Sequence, residues 1–377
     1  MDFELSEDQV LLQESVTRFV ADNYSFEQRR KLVDTDQGYS DKQWSQFAEL
    51  GWLGMPFAED VGGYGGTPVE TMVVLEEFGK GLVAEPYIST IVLGGGALVH
   101  GGTAAQQQEL IPQVAEGNLK LALGFAERQS RYNLADVQTK AEKSGVDYVL
   151  SGMKSVVFGA PTAKKFIVSA RTGGAARDEG GISLFLVDAD ASGVSVRGYP
   201  TVDGMRAGEV TLDGVKVGAD ALMGAEGEGF GALETTIDYA IAATAAEAVG
   251  AMSALNDMTL EYIKTREQFG QPIGKFQVLQ HRMVDMFIAH EEAKSMAMMA
   301  AMRIDDQDPN ERRKAASATK VQIAKSARFV GQQAIQLHGG IGMTDEYAAG
   351  HYFKRLTMID RSYGDGDYHL ARFGALS

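Results

Sequence analysis

Two stretches of this chain carry residue types suited to an anionic ligand. The first is Arg266-Glu267-Gln268-Phe269-Gly270-Gln271-Pro272-Ile273-Gly274. The second, later in the chain, is Gln336-Leu337-His338-Gly339-Gly340-Ile341-Gly342-Met343-Thr344. The planar fork of an arginine matches the paired oxygens of a pyrophosphate, and Phe269 offers an aromatic edge beside it. A run of glycines lets backbone approach a ligand closely. Plainer readings exist for both: an arginine at a helix end complements the macrodipole, and one glycine after a helix is a C-cap. A cap accounts for one glycine, but not for Gln336 together with Gly339, Gly340 and Gly342. A strand–glycine–helix nucleotide site fits poorly, because a helix precedes these glycines.

Candidates for moving a proton are fewer. Asp365 lies in Tyr363-Gly364-Asp365-Gly366-Asp367-Tyr368-His369, where Asp-Gly is either a solvated turn or a carboxylate held at a site. Glu247 falls mid-helix between alanines, where an unpaired charge is costly. It therefore faces a cleft or is ion-paired at a helix interface. There are no cysteines, and the six histidines show no His-x-x-x-His spacing, so neither thiolate chemistry nor a metal site is expected. Met296, Met298, Met299 and Met302 repeat at helical spacing and read as core.

The elements that must carry these residues divide the chain into three. Residues 1–118 read as an all-α domain. Ser6-Glu7-Asp8-Gln9 has capping-box form, and Thr67-Pro68-Val69-Glu70 starts another helix. Thr90 to Val99 is apolar and contains three glycines, which suggests close packing. Residues 119–223 read as a small β domain, with strands over 166–170, 182–187 and 209–217 and a turn at Asp213-Gly214. Residues 224–377 begin with a solvated linker at Glu226-Gly227-Glu228-Gly229. Long, nearly proline-free helices then follow over 240–260, 277–303 and 312–337, as in a bundle.

Together the two glycine-containing motifs resemble the C-terminal signatures of the acyl-CoA dehydrogenase family, and the bacterial pimeloyl-CoA dehydrogenase small-subunit type in particular. The resemblance spans essentially the whole chain. It includes Trp52-Leu53-Gly54-Met55-Pro56 leading to Gly62-Gly63-Tyr64-Gly65, Glu85-Pro86-Tyr87, and Gly350-His351-Tyr352-Phe353-Lys354-Arg355-Leu356. It implies an α+β fold: a helical N-terminal domain, a β-barrel-like middle domain and a C-terminal four-helix bundle. It also implies FAD as cofactor. Arg266 would contact the pyrophosphate, Phe269 and Gln277 would line the adenylate portion, and Gln336, Gly339 and Gly340 would lie against the pyrophosphate of a neighbouring subunit.

The middle region departs from the family pattern. Where the family has Thr-Glu-Pro-Gly-Ala-Gly-Ser-Asp, this chain has Ala126-Glu127-Arg128-Gln129-Ser130-Arg131-Tyr132-Asn133. Only Glu127 of the cofactor-contacting stretch remains. Where the family has Lys-x-Trp-Ile-Thr-Asn, this chain has Lys154-Ser155-Val156-Val157-Phe158-Gly159, so the tryptophan covering the flavin is Val156 and the hydrogen-bonding threonine is Phe158. The family's usual base is a glutamate in Tyr-Glu-Gly-Thr. Read without a gap, Gly364 occupies that place; read with one inserted residue, Asp365 does. The base position that other members use on the first long C-terminal helix is Ala240, to which Asp238 and Glu247 are the nearest carboxylates in sequence, Glu247 being the alternative base.

The resemblance implies FAD-dependent α,β-desaturation of an acyl-CoA thioester, with a proton leaving Cα, a hydride leaving Cβ, and electrons passing on to an electron-transfer flavoprotein. It equally allows a catalytically incomplete partner in a heterotetramer with a second acyl-CoA dehydrogenase subunit, or a homotetramer. An aspartate base also allows a flavin oxidase of the nitroalkane type. The net charge of −16 argues against nucleic acid and anionic lipid as main partners. With no apolar stretch of membrane length and no basic leader at Met1 to Leu5, a cytoplasmic location is expected.

Overall fold

A computed structural model describes residues 4–376; Met1 to Phe3, where the leader reading begins, lie outside the described residues. The chain forms two compact units. One comprises Met1–Lys31, Thr67–Val83 and Ile241–Ser377, the other Leu32–Gly66 and Ala84–Ala240.

The early helices are α1 Glu7–Asn23, α2 Phe26–Val33, α3 Asp41–Glu49 and α4 Pro68–Gly81, then α5 Gly96–Gly101 and α6 Ala104–Ala115. Both expected starts are full capping boxes, Ser6 with Gln9 and Thr67 with Glu70. The apolar run is a π-helix over Ile88–Gly95 continuing into α5. Packing explains two of its glycines: a Cβ on Gly94 would lie 2.4 Å from Leu121 Cβ, and one on Gly95 2.4 Å from Phe57 Cζ.

The strands are β1 Leu121–Gly124, β2 Lys140–Ser144, β3 Asp147–Phe158, β4 Lys165–Arg171, β5 Ile182–Asp188, β6 Val194–Pro200, β7 Arg206–Val217 and β8 Leu222–Met223. They form one sheet in the order β6-β7-β3-β2-β4-β5-β8, with β1 added parallel to β4. Phe166, Val168, Phe185, Leu150, Val210 and Leu212 fill its core. The turn expected at Asp213-Gly214 is instead part of the uninterrupted β7. The register shifts there, Gly214 takes φ +63°, and Asp213 N–H donates to the Gly193 carbonyl. The expected linker is tied down as well. Glu226 accepts from Tyr148 Oη at 2.9 Å and pairs with Lys143 at 2.7 Å. The Gly181 N–H donates to the Gly227 carbonyl at 2.9 Å.

The chain continues with α7 Gly229–Thr265, the short strands β9 Glu267–Gln268 and β10 Gln271–Pro272, then α8 Gln277–Arg303, α9 Pro309–His338 and α10 Ala348–Arg361. A last helix, α11 Gly366–Ala375, follows. Alanines dominate the buried faces, with Ala245, Ala248 and Ala251 on α7, Ala293 and Ala297 on α8, and Ala327 and Ala334 on α9. Small side chains let these axes approach closely, and of the α8 methionines Met286 is fully buried among them. Met296, Met298 and Met299 are half-buried, and Met302 is exposed rather than core. The closest approach joins α4 to α7. A Cβ on Gly79 would be 2.0 Å from the Glu247 carbonyl oxygen, and one on Gly250 would be 1.7 Å from that of Glu76. Backbone thus touches backbone beside Glu247. Among the described residues no helix is long and apolar enough to cross a membrane.

Candidate functional site

The Arg266 motif is a hairpin set on the end of α7. Arg266 N–H donates to the Tyr262 carbonyl, and the Arg266 carbonyl accepts from Ile273 N–H, both at 2.8 Å. β9 and β10 pair antiparallel, and Phe269 at φ +54° with Gly270 at φ +77° form the two-residue turn. Positive φ at both central positions is the turn that matches strand twist. A bulky residue there is strained, and Phe269 is also 92% exposed, so the turn offers an aromatic ring outward. Gln277, the first residue of α8, is exposed, as are Arg266 and Gln336.

The glycines after α9 separate into three physical classes. Gly339 adopts φ +63° and ψ −139°, a region only glycine occupies with ease. A Cβ on Gly342 would lie 2.9 Å from His338 Cβ, so packing excludes it. Gly340 has neither reason: its φ is ordinary and a Cβ there would meet nothing within 4 Å. The open side of Gly340 is where another molecule's approach would need glycine. The two motifs meet through rings. Tyr262, one turn before Arg266, stacks at 4.5 Å on His338, which also meets Tyr347 at 5.0 Å. His338 Nδ1–H donates to the Ala334 carbonyl at 2.8 Å, and burial lowers its pKa, so the ring is neutral at pH 7.

In the sheet unit, Glu127 is fully occupied by the protein itself. Oε1 accepts from Lys154 Nζ at 2.6 Å, Thr139 Oγ1 at 2.7 Å and Thr139 N–H at 3.0 Å. Oε2 accepts from Gln129 at 2.8 Å and Gln138 N–H at 2.9 Å. Its oxygens have no lone pair to spare for a cofactor, and the residue instead pins β3. Burial works against this carboxylate, but the Lys154 ammonium and the donors outweigh it and hold the pKa at about 2. An unfolded glutamate gains its proton near 4.5, so the stability this site contributes is present above that pH and fades as pH falls toward 2. Glu127→Gln is expected to be less stable at pH 7, leaving Lys154 unpaired, and to lose less on further acidification. Thermal unfolding from pH 7 to 2 checks this. An unchanged acid limb would remove the pair as its source.

Neither base candidate is a free carboxylate. Asp365 is the N-cap of α11, its Oδ1 accepting from Tyr368 N–H at 3.0 Å and its Oδ2 from Arg361 Nη1 at 3.1 Å. Glu247 on α7 is held bidentately by Arg355 on α10, Nε to Oε1 and Nη2 to Oε2, each at 2.6 Å. Its carboxylate is buried, which is the ion-paired arrangement. Gly364 is sealed. It takes φ +110° after Tyr363 at φ +61°, and a Cβ on it would lie 2.5 Å from His369 Nε2. That nitrogen donates to the Tyr363 carbonyl at 2.9 Å, while Nδ1 faces Ser317 Oγ at 3.3 Å. Burial pulls the His369 pKa down to about 4.

Lys320 was not singled out from sequence. It sits on α9 under α10, fully buried, and donates to the Ile359 carbonyl. Burial draws its pKa down to about 7 against the opposing pull of Asp360 and Asp365. Nothing in Ala318-Thr319-Lys320-Val321 sets it apart from a lysine that snorkels to solvent. Arg355 was visible only as part of a shared motif.

Residues 6–118, 122–215 and 227–372 match, in turn, the family models for the N-terminal, middle and C-terminal domains of acyl-CoA dehydrogenase. The probable acyl-CoA dehydrogenase YngJ of Bacillus subtilis is 31% identical over 99% of this chain and 98% of its own length. A chain of the ChsE4-ChsE5 complex from Mycobacterium tuberculosis superposes with a TM-score of 0.89 at 27% identity, covering 100% of this chain and 98% of that one. A chain in the structure of the electron transferring flavoprotein of Acidaminococcus fermentans superposes with a TM-score of 0.90 at 27% identity over 99% and 98%.

Proposed function

Since the chain belongs to the acyl-CoA dehydrogenase family of flavin-dependent oxidoreductases, we propose that it takes part in FAD-dependent α,β-desaturation of an acyl-CoA thioester as one subunit of a hetero-oligomer. In this reading the proton-accepting carboxylate is carried by a second, homologous chain. One observation carries it: both carboxylates at candidate base positions are committed to partners, and Gly364 is closed by His369. A base needs room for the substrate to approach its oxygen, and Glu247 and Asp365 each already hold a guanidinium within 3.1 Å.

The residues present fit FAD. Arg266 with its fork, the outward ring of Phe269 and Gln277 would hold the pyrophosphate and adenylate end, while Gln336 and the backbone at Gly339 and Gly340 would lie against the pyrophosphate of a neighbouring subunit's FAD, which the open side of Gly340 supports. When bound, FAD supplies the oxidant for the Cβ hydride. Glu127 drops out of the contact set and acts by fixing β3. The division at 1–118, 119–223 and 224–377 is kept as the proposed domain scheme. A complex of two chains in the ChsE4-ChsE5 relative supports the hetero-oligomer, and the electron transferring flavoprotein neighbour supports that class of electron acceptor.

The test is the visible spectrum and an anaerobic acyl-CoA titration of this chain, alone and co-expressed with a longer homologue. Bleaching only in the co-assembly is expected. Asp365→Ala should leave that bleaching intact and destabilise the chain by about 1 kcal/mol through its lost cap. Bleaching by the chain alone that disappears in Asp365→Ala would make Asp365 the base and overturn the reading. Oxygen consumption without an acceptor would point to an oxidase.

A further inference from the structure

The carboxyl end of α10 runs into a strained turn. Its cap bond joins Ser362 N–H to the Met358 carbonyl, and Ser362 then leaves the helix at φ −73° and ψ 137°. Tyr363 follows at φ +61° and Gly364 at φ +110°. A left-handed backbone is uncommon for an aromatic residue, and such strain persists only where neighbouring groups hold it. Two buried side chains do so here. His369 on α11 donates from Nε2 to the Tyr363 carbonyl at 2.9 Å, while its Nδ1 faces Ser317 Oγ on α9 at 3.3 Å. One turn further along α9, Lys320 donates from Nζ to the Ile359 carbonyl.

That carbonyl has a second natural donor. If α10 ran on, the Ile359 oxygen would take the Tyr363 N–H, four positions later, and Tyr363 would relax into ordinary helical backbone. The chain thus has two arrangements at this point, a turn held by Lys320 or a slightly longer helix. The charge on Lys320 sets the balance, because a charge-assisted hydrogen bond is roughly twice as strong as a neutral one. The groups facing the amine are few. Burial works most against its charge, Asp360 and Asp365 favour it and Arg355 opposes it, leaving the pKa at about 7. Asp360 and Asp365 are themselves tied to Arg328 and Arg361. His369, drawn down to about 4 by burial and faced by Arg372, stays neutral while Lys320 titrates.

We propose that the Tyr363–Gly364 turn is a pH-sensitive latch, closed while Lys320 is charged and opened by a lengthening of α10 when Lys320 gives up its proton. Opening carries the Tyr363 carbonyl away from His369, the ring that closes Gly364. The direction is opposite to that of global stability. Relative to the unfolded chain the buried ammonium is costly, yet between two folded arrangements it selects the closed one. The inference stands on these contacts alone and does not depend on the flavin reading.

The experiment is hydrogen–deuterium exchange of the full chain, alone or co-purified with a longer homologue, from pH 6 to 9. Rates are divided by the intrinsic rate at each pH. Peptides spanning 359–366 are expected to lose about tenfold in protection as pH rises, the difference between a charged and a neutral donor. The midpoint is expected near pH 7, with α9 peptides unchanged. Lys320→Met, which removes the buried charge and should fold well, is expected to show the weakly protected level at every pH. Protection of 359–366 that stays flat in wild type would overturn the latch. The same step persisting in Lys320→Met would overturn it too, since another group would then be driving the turn.

Discussion

Arg355→Met is expected to lower the unfolding free energy by about 3–5 kcal/mol, the usual result of stranding one member of a buried ion pair. The Glu247 carboxylate would keep its place on α7, because Gly79 and Gly250 hold the backbone on either side of it against α4. It would then have neither the guanidinium fork nor water. The double variant Glu247→Leu with Arg355→Met is expected to regain most of the loss, since the uncompensated charge is gone and the volume is nearly kept. Urea unfolding at fixed protein concentration and pH 7 measures both, the concentration being fixed because assembly shifts apparent stability. A double variant as unstable as Arg355→Met would mean that shape at the helix crossing, rather than charge, is what the pair supplies.

Lys320→Met is expected to do the opposite and stabilise the chain at neutral pH and below. The unfolded lysine keeps its proton to its ordinary value near 10.5, whereas the folded one gives it up near 7, chiefly because of burial. Between those values the unfolded state binds more protons, so wild-type stability rises with pH across the window. Below 7 both states are protonated and the full penalty stands, roughly three and a half pH units at about 1.4 kcal/mol each, on the order of 5 kcal/mol. Methionine removes that penalty and forfeits one hydrogen bond to the Ile359 carbonyl. Melting curves from pH 6 to 10 should show a higher and flatter profile for the variant. A variant less stable than wild type at pH 6 would show that the ammonium is better compensated by Asp360 and Asp365 than its burial implies.

The helices and strands were legible because their signals are local. Ser6 with Gln9 and Thr67 with Glu70 announce caps within four residues, and α8 spans Gln277 to Arg303 as its spacing requires. The errors came where a local signal was answered by something distant. Asp213-Gly214 reads as a turn, but β3 and the Gly193 carbonyl keep it in the sheet. The Glu226 stretch reads as a solvated linker, but Tyr148 and Lys143 hold it. Sites were harder still. That Glu127 would be consumed by five donors, or Glu247 by an arginine 108 positions away, depends on which side chains meet, and spacing does not encode that. Asp365 illustrates the limit: the same Asp-Gly pair that suits a base also caps a helix, and only the Tyr368 N–H and Arg361 contacts distinguish the two.

The closed position at Gly364 bears on how such a chain can change over time. A glutamate introduced there by a single substitution would meet His369 and an unfavourable backbone angle at once, so its first effect is a folding defect. Removing His369 first would open the space, but it would also release the Tyr363 carbonyl and gain nothing until the second change arrived. Each single step is selected against, and only the pair is useful. If the base is carried by a sister chain, as proposed, that dependence is entrenched, because self-sufficiency is regained only by crossing a valley of unstable intermediates.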